Sequence, residues 1–303
     1  MKYTITGSLG HISKPLVSAL VKAGHQVTVI TSSDNRVKDI ESLGAKAAVG
    51  SVTDPSFITE SFKGADAVYT MVPPTFAASD WKGYIEQVGK NYAAAIAANN
   101  VKYVVNLSSI GAHMPEGCGP VSGLYRVEQA LNALPGVNIK HLRPAYFYNN
   151  LFAQTGLIKN LGIMGANFDL SDSKFTLVDP SDIATVAIQS MLQLDFKGHS
   201  VQYIVSDEVS TSDIASTIGE AINKPGLKWV LFSDEQALQG AVQAGLPEEV
   251  AKNYTEMNHA IQTGAMGEEY WKSHTPVSGK IKLADFAKSF AAVYNNEATV
   301  AAH

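Results

Sequence analysis

The stretch Thr6-Gly7-Ser8-Leu9-Gly10-His11-Ile12-Ser13 lies between two segments with different hydrophobic periods. Before it, a short apolar run at residues 3–6 predicts a buried strand. After it, apolar side chains recur at helical spacing through residues 11–23, and Gly24 is a typical stop signal. A glycine-rich turn between a first strand and a first helix is where dinucleotide-binding domains hold a pyrophosphate. The stretch therefore predicts a fold and a binding site together.

Each part of this turn has a physical role in binding phosphate. Gly7 permits a tight turn, and Gly10 lets the backbone approach the ligand. The helix that follows offers free backbone amides and the positive end of its dipole. A purely structural turn is the alternative, but the position directly after the first strand favours binding. The predicted pyrophosphate site comprises Gly7, Ser8, Leu9, Gly10, His11 and Ile12.

Outward from the turn, buried strands and helices alternate. Further strands are predicted at residues 27–30, 45–49, 67–72, 103–107 and 139–142, with helical patterns between them. This alternation predicts an α/β fold, a doubly wound parallel sheet of the Rossmann type, with a smaller and mostly helical C-terminal domain. The predicted dinucleotide-binding domain is residues 1–150, to which 177–206 return, and the predicted substrate-binding domain is 151–176 and 207–303.

Composition excludes several classes of protein. Apolar residues make up 46% of the 303 residues, which is enough for a large core. The net charge is −5 and no basic block occurs, so nucleic acid is not an expected partner. The single cysteine, Cys118, cannot form an internal disulfide, and no apolar stretch approaches the about 18 residues of a membrane helix. We expect a cytoplasmic monomer or homodimer with a small-molecule ligand and no membrane partner.

The end of the second predicted strand selects the cofactor. An acid at this place grips the adenosine ribose hydroxyls, whereas a cation accommodates a 2′-phosphate. Ser32, Ser33 and Arg36 are suited to hold a phosphate, which favours NADP(H). Asp34 is the argument for NAD(H), which remains possible.

Four further motifs accompany residues 7–13. They are KGADAVYTMVPP (63–74), VVNLSSIGA (104–112), LRPAYFYNNL (142–151) and LVDPSDIATVA (177–187). By these motifs the chain resembles the NmrA-like branch of the atypical short-chain dehydrogenases/reductases, over about residues 1–205. The resemblance implies a Rossmann domain and NAD(P)H. It also implies one of two roles, a reductase of quinones or other electrophiles or a catalytically silent redox sensor.

The resemblance also implies roles for single residues. Met71, Val72 and Pro73 would line the adenosine and pyrophosphate side of the cofactor. Ser108 and Ser109 would reach the nicotinamide ribose. The residues that would flank the nicotinamide are Pro144, Ala145, Tyr146 and Phe147.

The chain departs from the superfamily pattern on its catalytic helix. Tyr-x-x-x-Lys transfers a proton in the wider superfamily, and alignment on Glu128 puts Pro120 and Leu124 at those two positions. A shift of one residue gives Tyr125-x-x-x-Gln129, which keeps a phenol but lacks the ammonium. Tyr125 is therefore a candidate proton donor, with a packed or pocket-lining tyrosine as the alternative.

The remaining candidates are weaker. Cys118 lies in a Gly-Pro loop without a base beside it, which is typical of a spectator thiol. Glu256 and His259 have the Glu-x-x-His spacing but no companion ligands, so no metal site is expected. The aromatic side chains of Tyr146, Phe147 and Phe152 follow the sixth strand, and they predict a pocket for a planar or aromatic acceptor as readily as core packing.

Two functions are compatible with these features. The first is an NAD(P)H-dependent oxidoreductase that transfers hydride directly to a conjugated acceptor such as a quinone, which needs no strong general acid because its ring delocalises the charge. The second is a non-catalytic NAD(P)-binding sensor that acts through a protein partner and requires differential binding between two conformations. The glycines and aromatic residues around residues 145–165 favour the enzyme.

Overall fold

A computed structural model describes residues 1–296 of the chain. The last seven residues of the predicted substrate-binding domain, 297–303, lie outside the described part. Strands and helices alternate through the first half, as predicted. In chain order they are β1 (Lys2–Ile5), α1 (Ser13–Lys22), β2 (Gln26–Thr31), α2 (Val37–Ser42), β3 (Lys46–Val49), α3 (Pro55–Ser61), β4 (Ala67–Thr70), α4 (Trp81–Asn99), β5 (Tyr103–Leu107), α5 (Pro120–Asn132) and β6 (Asn138–Pro144).

The second half mixes short strands with longer helices. Its elements are β7 (Tyr146–Phe147), α6 (Thr155–Leu161), β8 (Met164–Ala166), β9 (Phe175–Val178), α7 (Pro180–Gln193), β10 (His199–Ile204), β11 (Asp207–Val209), α8 (Thr211–Ala221), β12 (Trp229–Leu231), α9 (Asp234–Gln243), α10 (Glu248–Gln262), α11 (Glu268–Ser273) and α12 (Leu283–Asn295). Short 3-10 helices occupy Asp34–Arg36, Tyr148–Gln154 and Ala265–Gly267.

The main sheet is the predicted doubly wound parallel sheet. Its seven strands lie in the order β10-β6-β5-β4-β1-β2-β3, and every pair is parallel. The strand order reverses between β1 and β4, and ligands bind such sheets at the carboxyl ends of the strands beside this switch point. All four residues of β4 are buried, as expected for a parallel strand covered on both faces.

Local chemistry explains where the helices begin and end. The Asp80 carboxylate accepts a hydrogen bond from the Gly83 amide at 2.9 Å and caps α4, which ends at Asn100 in the left-handed conformation (φ 53°). Helix α5 begins at Pro120, because proline is well suited to the first helical position. Strand β4 ends at Thr70 rather than residue 72, since the Met71 amide donates to the Thr6 hydroxyl at 2.8 Å.

The second half contains more strand than its sequence predicted. The unpredicted strands form two small sheets, β11-β9-β7 and β12-β8, beside the helices. Strand β10 joins the main sheet beside β6, in agreement with the predicted return of residues 177–206. Strands of two to four residues are too short to show a period of two. One apolar cluster runs from Ile5 on β1 to Phe290 on α12, so the C-terminal helices share the core of the main sheet. The division into two domains stays a prediction.

Candidate functional site

The glycine-rich turn follows β1 at the carboxyl edge of the sheet. Gly7 has a φ of +88°, and an added Cβ there would lie 2.8 Å from the Met71 Cγ and 3.0 Å from the Ser13 Oγ. Only glycine fits both the conformation and the space. The Ser8 amide donates to the Ile30 carbonyl at 3.0 Å, which ties the turn to β2. The turn is therefore held in one shape by its neighbours.

The N-terminus of α1 is suited to bind an anion. Its N-cap, Ile12, makes no side-chain cap hydrogen bond, and the first turn carries no acidic residue. Gly10 is exposed, and a Cβ built there would meet only the Gly7 carbonyl, at an ordinary contact distance of 3.5 Å. Backbone amides and the helix dipole thus face an approachable surface, as a pyrophosphate requires. The residues present fit a dinucleotide at this turn.

The predicted 2′-phosphate contacts lie beside the same turn. The Thr31 hydroxyl, at the end of β2, accepts from the Ser8 hydroxyl at 3.1 Å and from the Ser33 amide at 3.2 Å. Ser32 is exposed, and Arg36 makes a loose ion pair with Asp39 at 3.8 Å between two exposed side chains. Such a pair contributes little, so the guanidinium can turn towards another anion.

The ends of β1 and β4 are locked together beside the turn. The Met71 carbonyl accepts from the Tyr92 hydroxyl at 2.8 Å and from the Thr6 hydroxyl at 3.3 Å. Val72 and Pro73 follow as half-buried residues at the same edge. Their placement agrees with a role beside the cofactor, which stays a prediction for each of them.

The Ser108 hydroxyl lies at the end of β5, and its partner is a buried acid. Ser108 is only 4% exposed and donates to the Glu128 carboxylate at 2.5 Å. Glu128, on α5, is also held by Arg143 of β6, whose Nε and Nη2 donate at 3.0 Å and 2.6 Å. Arg143 further donates to the Ala112 carbonyl and the Tyr203 hydroxyl, both at 3.3 Å. The Ser108 side chain therefore supports the site from beneath, whereas Ser109 is half-buried and has its hydroxyl on the Ile110 carbonyl.

A second network of buried polar side chains connects β4, β5 and β6. The Asn106 amide donates to His141 Nδ1 at 3.1 Å, and His141 Nε2 donates to the Asn132 side-chain oxygen at 3.0 Å. Asn106 also accepts from the Thr70 hydroxyl at 2.9 Å. Burial lowers the pKa of His141 to about 4, so the ring is neutral near pH 7. These contacts hold β4, β5 and β6 in register below the site.

A cleft of about 380 Å³ opens at the carboxyl ends of β5 and β6. The Ile110 amide donates to the Pro144 carbonyl at 2.9 Å and so joins the segments after β5 and β6, from which Ile110 and Tyr146 line the cleft. Tyr146, two residues beyond Pro144, is both a predicted cofactor neighbour and a wall of the cleft. The lining is mainly apolar with a polar rim and consists of Ile110, Tyr146, Leu170, Ser173, Lys174, Phe175, Thr176, Ile261, Gly264, Met266, Gly267 and Trp271.

The other predicted pocket residues lie elsewhere. Phe152 stacks on Phe290 of α12, with ring centres 5.6 Å apart and planes 5° apart, and it also contacts Phe286. Phe147 packs against the main core and is absent from the lining of the cleft. Tyr146 is thus the member of this trio that the structure places at the cleft. The packing of Phe147 and Phe152 is that of core residues, and their predicted role in binding the acceptor stays a prediction.

Tyr125 and Cys118 both lie outside the lining of the cleft. Tyr125 is half-buried on α5. Cys118 is fully buried, and burial raises the pKa of its thiol to about 12, so the unreactive form predominates at neutral pH. The structure agrees with a spectator thiol.

Sequence patterns missed most of the cleft. Ile261, Met266 and Trp271 come from α10 and the segments after it, far along the chain from the motifs, whereas Phe175 of β9 lies two residues before the motif at 177–187. Tyr254 of α10 is not among the lining residues, but it packs against the same core as Tyr146, and its ring lies edge-on against Trp81 at 5.4 Å. Each of these apolar residues has the spacing of an ordinary core residue in its own element, so no local signal marks it as part of a cleft.

Within residues 1–296 there is neither a membrane-spanning helix nor a cluster of metal-ligating side chains. No helix in this range is long and apolar enough to cross a membrane. The same range contains no group of three or more His, Cys, Asp or Glu side chains suited to hold a metal ion. Glu256 instead pairs with Lys82 at 2.8 Å, and His259 contacts Asp234 at 3.0 Å.

Comparison with known proteins agrees with this geometry. A family model described as NAD(P)H-binding matches residues 7–225. An NAD(P)H azoreductase of Xenophilus azovorans is 22% identical over 294 residues, which cover 96% of this chain and 98% of that protein. The Escherichia coli NADPH-dependent quinone oxidoreductase, solved with NADPH, has a TM-score of 0.74 at 16% identity and covers 97% of this chain and 100% of its own. Citrobacter sp. triphenylmethane reductase has a TM-score of 0.74 at 17% identity, with 96% and 100% covered.

The sheet order and the glycine-rich turn define a dinucleotide-binding protein of the doubly wound class. The chain belongs to the NAD(P)H-binding family, whose model spans the turn and the rest of the main sheet beyond β1. This confirms the family resemblance, the fold class and the cofactor class predicted from the sequence.

Proposed function

We propose that the protein is an NADPH-dependent reductase of planar, conjugated acceptors such as quinones. The observation that carries the proposal is the cleft of about 380 Å³ at the carboxyl ends of β5 and β6. Mainly apolar clefts with a few polar groups at this edge of an α/β sheet are typical small-molecule sites. Aromatic and thioether side chains on its walls suit a flat ring.

The names of similar proteins support the same class of acceptor. The azoreductase, the quinone oxidoreductase and the triphenylmethane reductase are each named for a conjugated acceptor. A (4-alkanoyl-5-oxo-2,5-dihydrofuran-3-yl)methyl phosphate reductase of Streptomyces griseus is a further relative, 22% identical over 262 residues. Its named substrate also has a conjugated carbonyl system.

The chain's own residues would hold the cofactor along the carboxyl edge. The amides of residues 7–12 and the α1 dipole would bind the pyrophosphate, and Ser32, Ser33 and Arg36 the 2′-phosphate. Met71, Val72 and Pro73 would border the adenosine side, and Ser109, Pro144, Ala145 and Tyr146 the nicotinamide side. NADPH supplies a hydride when bound. The apolar walls would exclude water and orient the acceptor.

The preference for NADPH over NADH tests the proposed contact between Arg36 and the 2′-phosphate of the cofactor. Arg36→Ala should weaken NADPH binding by about 10–150-fold, because it removes one charge-assisted hydrogen bond that contributes about 1.5–3 kcal/mol. NADH affinity should stay the same, because NADH lacks the phosphate. Titration of the oxidised and reduced cofactors measures both constants. Lys38→Ala, which removes an exposed cation nearby, is the matched control. Equal losses for the two cofactors, or tighter NADH binding by the parent, would show that Asp34 selects the cofactor.

The position of Tyr125 outside the cleft lining supports direct hydride transfer without an essential tyrosine on α5. Tyr125→Phe keeps the ring and removes only the phenolic proton. General acid assistance contributes about 10²–10⁴ to a rate. If Tyr125 gives no such assistance, Tyr125→Phe should change single-turnover hydride transfer to a quinone by less than about tenfold. A loss of roughly a thousandfold, with NADPH affinity intact, would restore a tyrosine-dependent reductase.

Multiple-turnover oxidation of NADPH with a panel of quinones tests the proposed function itself. The expected result is catalytic consumption of NADPH that depends on the quinone and saturates with it. Tight NADPH binding without turnover on any electron-poor acceptor would contradict the proposal and favour the cofactor-dependent sensor.

A further inference from the structure

The Tyr146 hydroxyl is a polar group at the cleft without a partner. Within residues 1–296 no protein group forms a hydrogen bond with it. Among the other phenols that pack into the same core, Tyr3 donates to the Met191 carbonyl at 3.0 Å and Tyr270 to Glu208 at 2.6 Å, whereas the fully buried hydroxyls of Tyr69 and Tyr148 have no partner. Tyr146 differs from Tyr69 and Tyr148 because its side chain is half-buried and lines the cleft. A hydroxyl on a half-buried side chain that lines the cleft, without a protein partner among the described residues, is available to form a hydrogen bond with a ligand in the cleft.

The structure holds this side chain in a defined place. Tyr146 pairs with Leu177 in the small sheet, and the preceding Ala145 amide donates to the Ile204 carbonyl at 3.0 Å. Its ring packs against Phe175 at 5.1 Å and Phe168 at 6.4 Å. The backbone and the ring are therefore both constrained, so the hydroxyl is preorganised rather than free to swing away.

A second phenol packs against the same apolar core. Tyr254 of α10 is near enough to Tyr146 to influence its pKa, and its hydroxyl also has no hydrogen-bond partner among the described residues. Burial raises the pKa of both tyrosines, and the neighbouring Tyr254 adds to the effect on Tyr146. Both phenols thus stay protonated at neutral pH and are able to donate hydrogen bonds.

We propose that the Tyr146 hydroxyl donates a hydrogen bond to the oxygen or nitrogen of the acceptor on which negative charge develops during reduction. The inference rests on the proposed reductase function. It names the preferred substrates as conjugated acceptors with a carbonyl or azo group. The acceptor gains a hydride, one proton with two electrons, from the reduced cofactor and a second proton from water, while Tyr146 keeps its own proton.

This role distinguishes two kinds of acceptor. Hydride transfer to a quinone places negative charge on a carbonyl oxygen, and a preorganised donor stabilises that charge. Hydride transfer to the central carbon of a cationic triphenylmethane dye only neutralises a positive charge. The hydroxyl should therefore matter for the quinone and not for the dye, although the same cleft walls would contact both.

The experiment compares Tyr146→Phe with the parent on both acceptors. Single-turnover reduction of the quinone should slow by about 10–1000-fold, the effect of losing one such donor, while reduction of the dye should change less than about twofold. Tyr148→Phe is the matched control. It also removes a phenolic hydroxyl, in this case one that is fully buried outside the cleft lining, and should leave both rates unchanged. Tyr254→Phe should give a smaller, quinone-selective loss.

Equilibrium binding of the quinone to the protein with oxidised cofactor is a second measurement, and it decides the question if the dye is not reduced. Binding should weaken in Tyr146→Phe and stay constant in Tyr148→Phe. Equal slowing of quinone and dye would indicate a packing role and overturn the inference, as would unchanged quinone reduction and binding. Failure of the parent to reduce any quinone would instead overturn the proposed function on which the inference rests.

Discussion

Gly10→Val is expected to fold normally and to lose NADPH binding by at least about 100-fold, or about 2.7 kcal/mol. Gly10 tolerates a Cβ, since the nearest atom to that Cβ is the Gly7 carbonyl at 3.5 Å. Its side chain would instead project into the space where the pyrophosphate must approach the α1 amides. The effect therefore falls on the ligand rather than on the fold. Fluorescence titration with NADPH measures the affinity, and circular dichroism checks the fold.

The control for this prediction is Gly240→Val on α9. A Cβ added at Gly240 would have no atom within 4 Å, and the residue belongs neither to the glycine-rich turn nor to the lining of the cleft, so the variant reports only the cost of valine in a helix. Gly7→Val would not serve, because the positive φ and the contact with Met71 would strain the protein itself. A folded Gly10→Val variant with the parent's NADPH affinity would show that the turn does not bind the pyrophosphate.

Glu128→Leu is expected to lower the free energy of unfolding by about 3–5 kcal/mol, because it leaves the Arg143 guanidinium buried without a counter-charge. Glu128 is 2% exposed and accepts hydrogen bonds from both Arg143 and Ser108. The remaining acceptors of Arg143, the Tyr203 hydroxyl and the Ala112 carbonyl, are neutral and at 3.3 Å. Urea denaturation measures the change.

Two comparisons isolate the buried pair. Glu116→Gln weakens the pair between Arg126 and the 66%-exposed Glu116, and it should change stability by less than about 1 kcal/mol. Adding Arg143→Met to Glu128→Leu should recover most of the loss, since apolar replacement of both partners removes the unpaired charge. A Glu128→Leu variant as stable as the parent, or a double variant less stable than the single one, would contradict this account.

Local sequence alone determined the Rossmann framework and its cofactor turn. Strand and helix periods differ within a few residues, and the positions of Gly7, Gly10 and Asp80 follow from backbone geometry and capping, which are properties of neighbouring residues. The order of these elements, with right-handed crossovers, then leaves few possible sheets. The turn at the end of β1 was predictable for the same reason.

Only the tertiary structure decided how the cleft is built. Tyr146 and Phe152 are aromatic neighbours in one segment, yet Tyr146 lines the cleft whereas Phe152 stacks in the core on Phe290. Ser108 carries a hydroxyl like that of Ser109, but the Ser108 hydroxyl donates to the buried carboxylate of Glu128 on α5. Burial against a ligand and burial against a distant helix produce the same apolar pattern along the chain. Which of the two occurs depends on contacts between residues more than a hundred positions apart, and hydrophobic periodicity contains no information about such contacts.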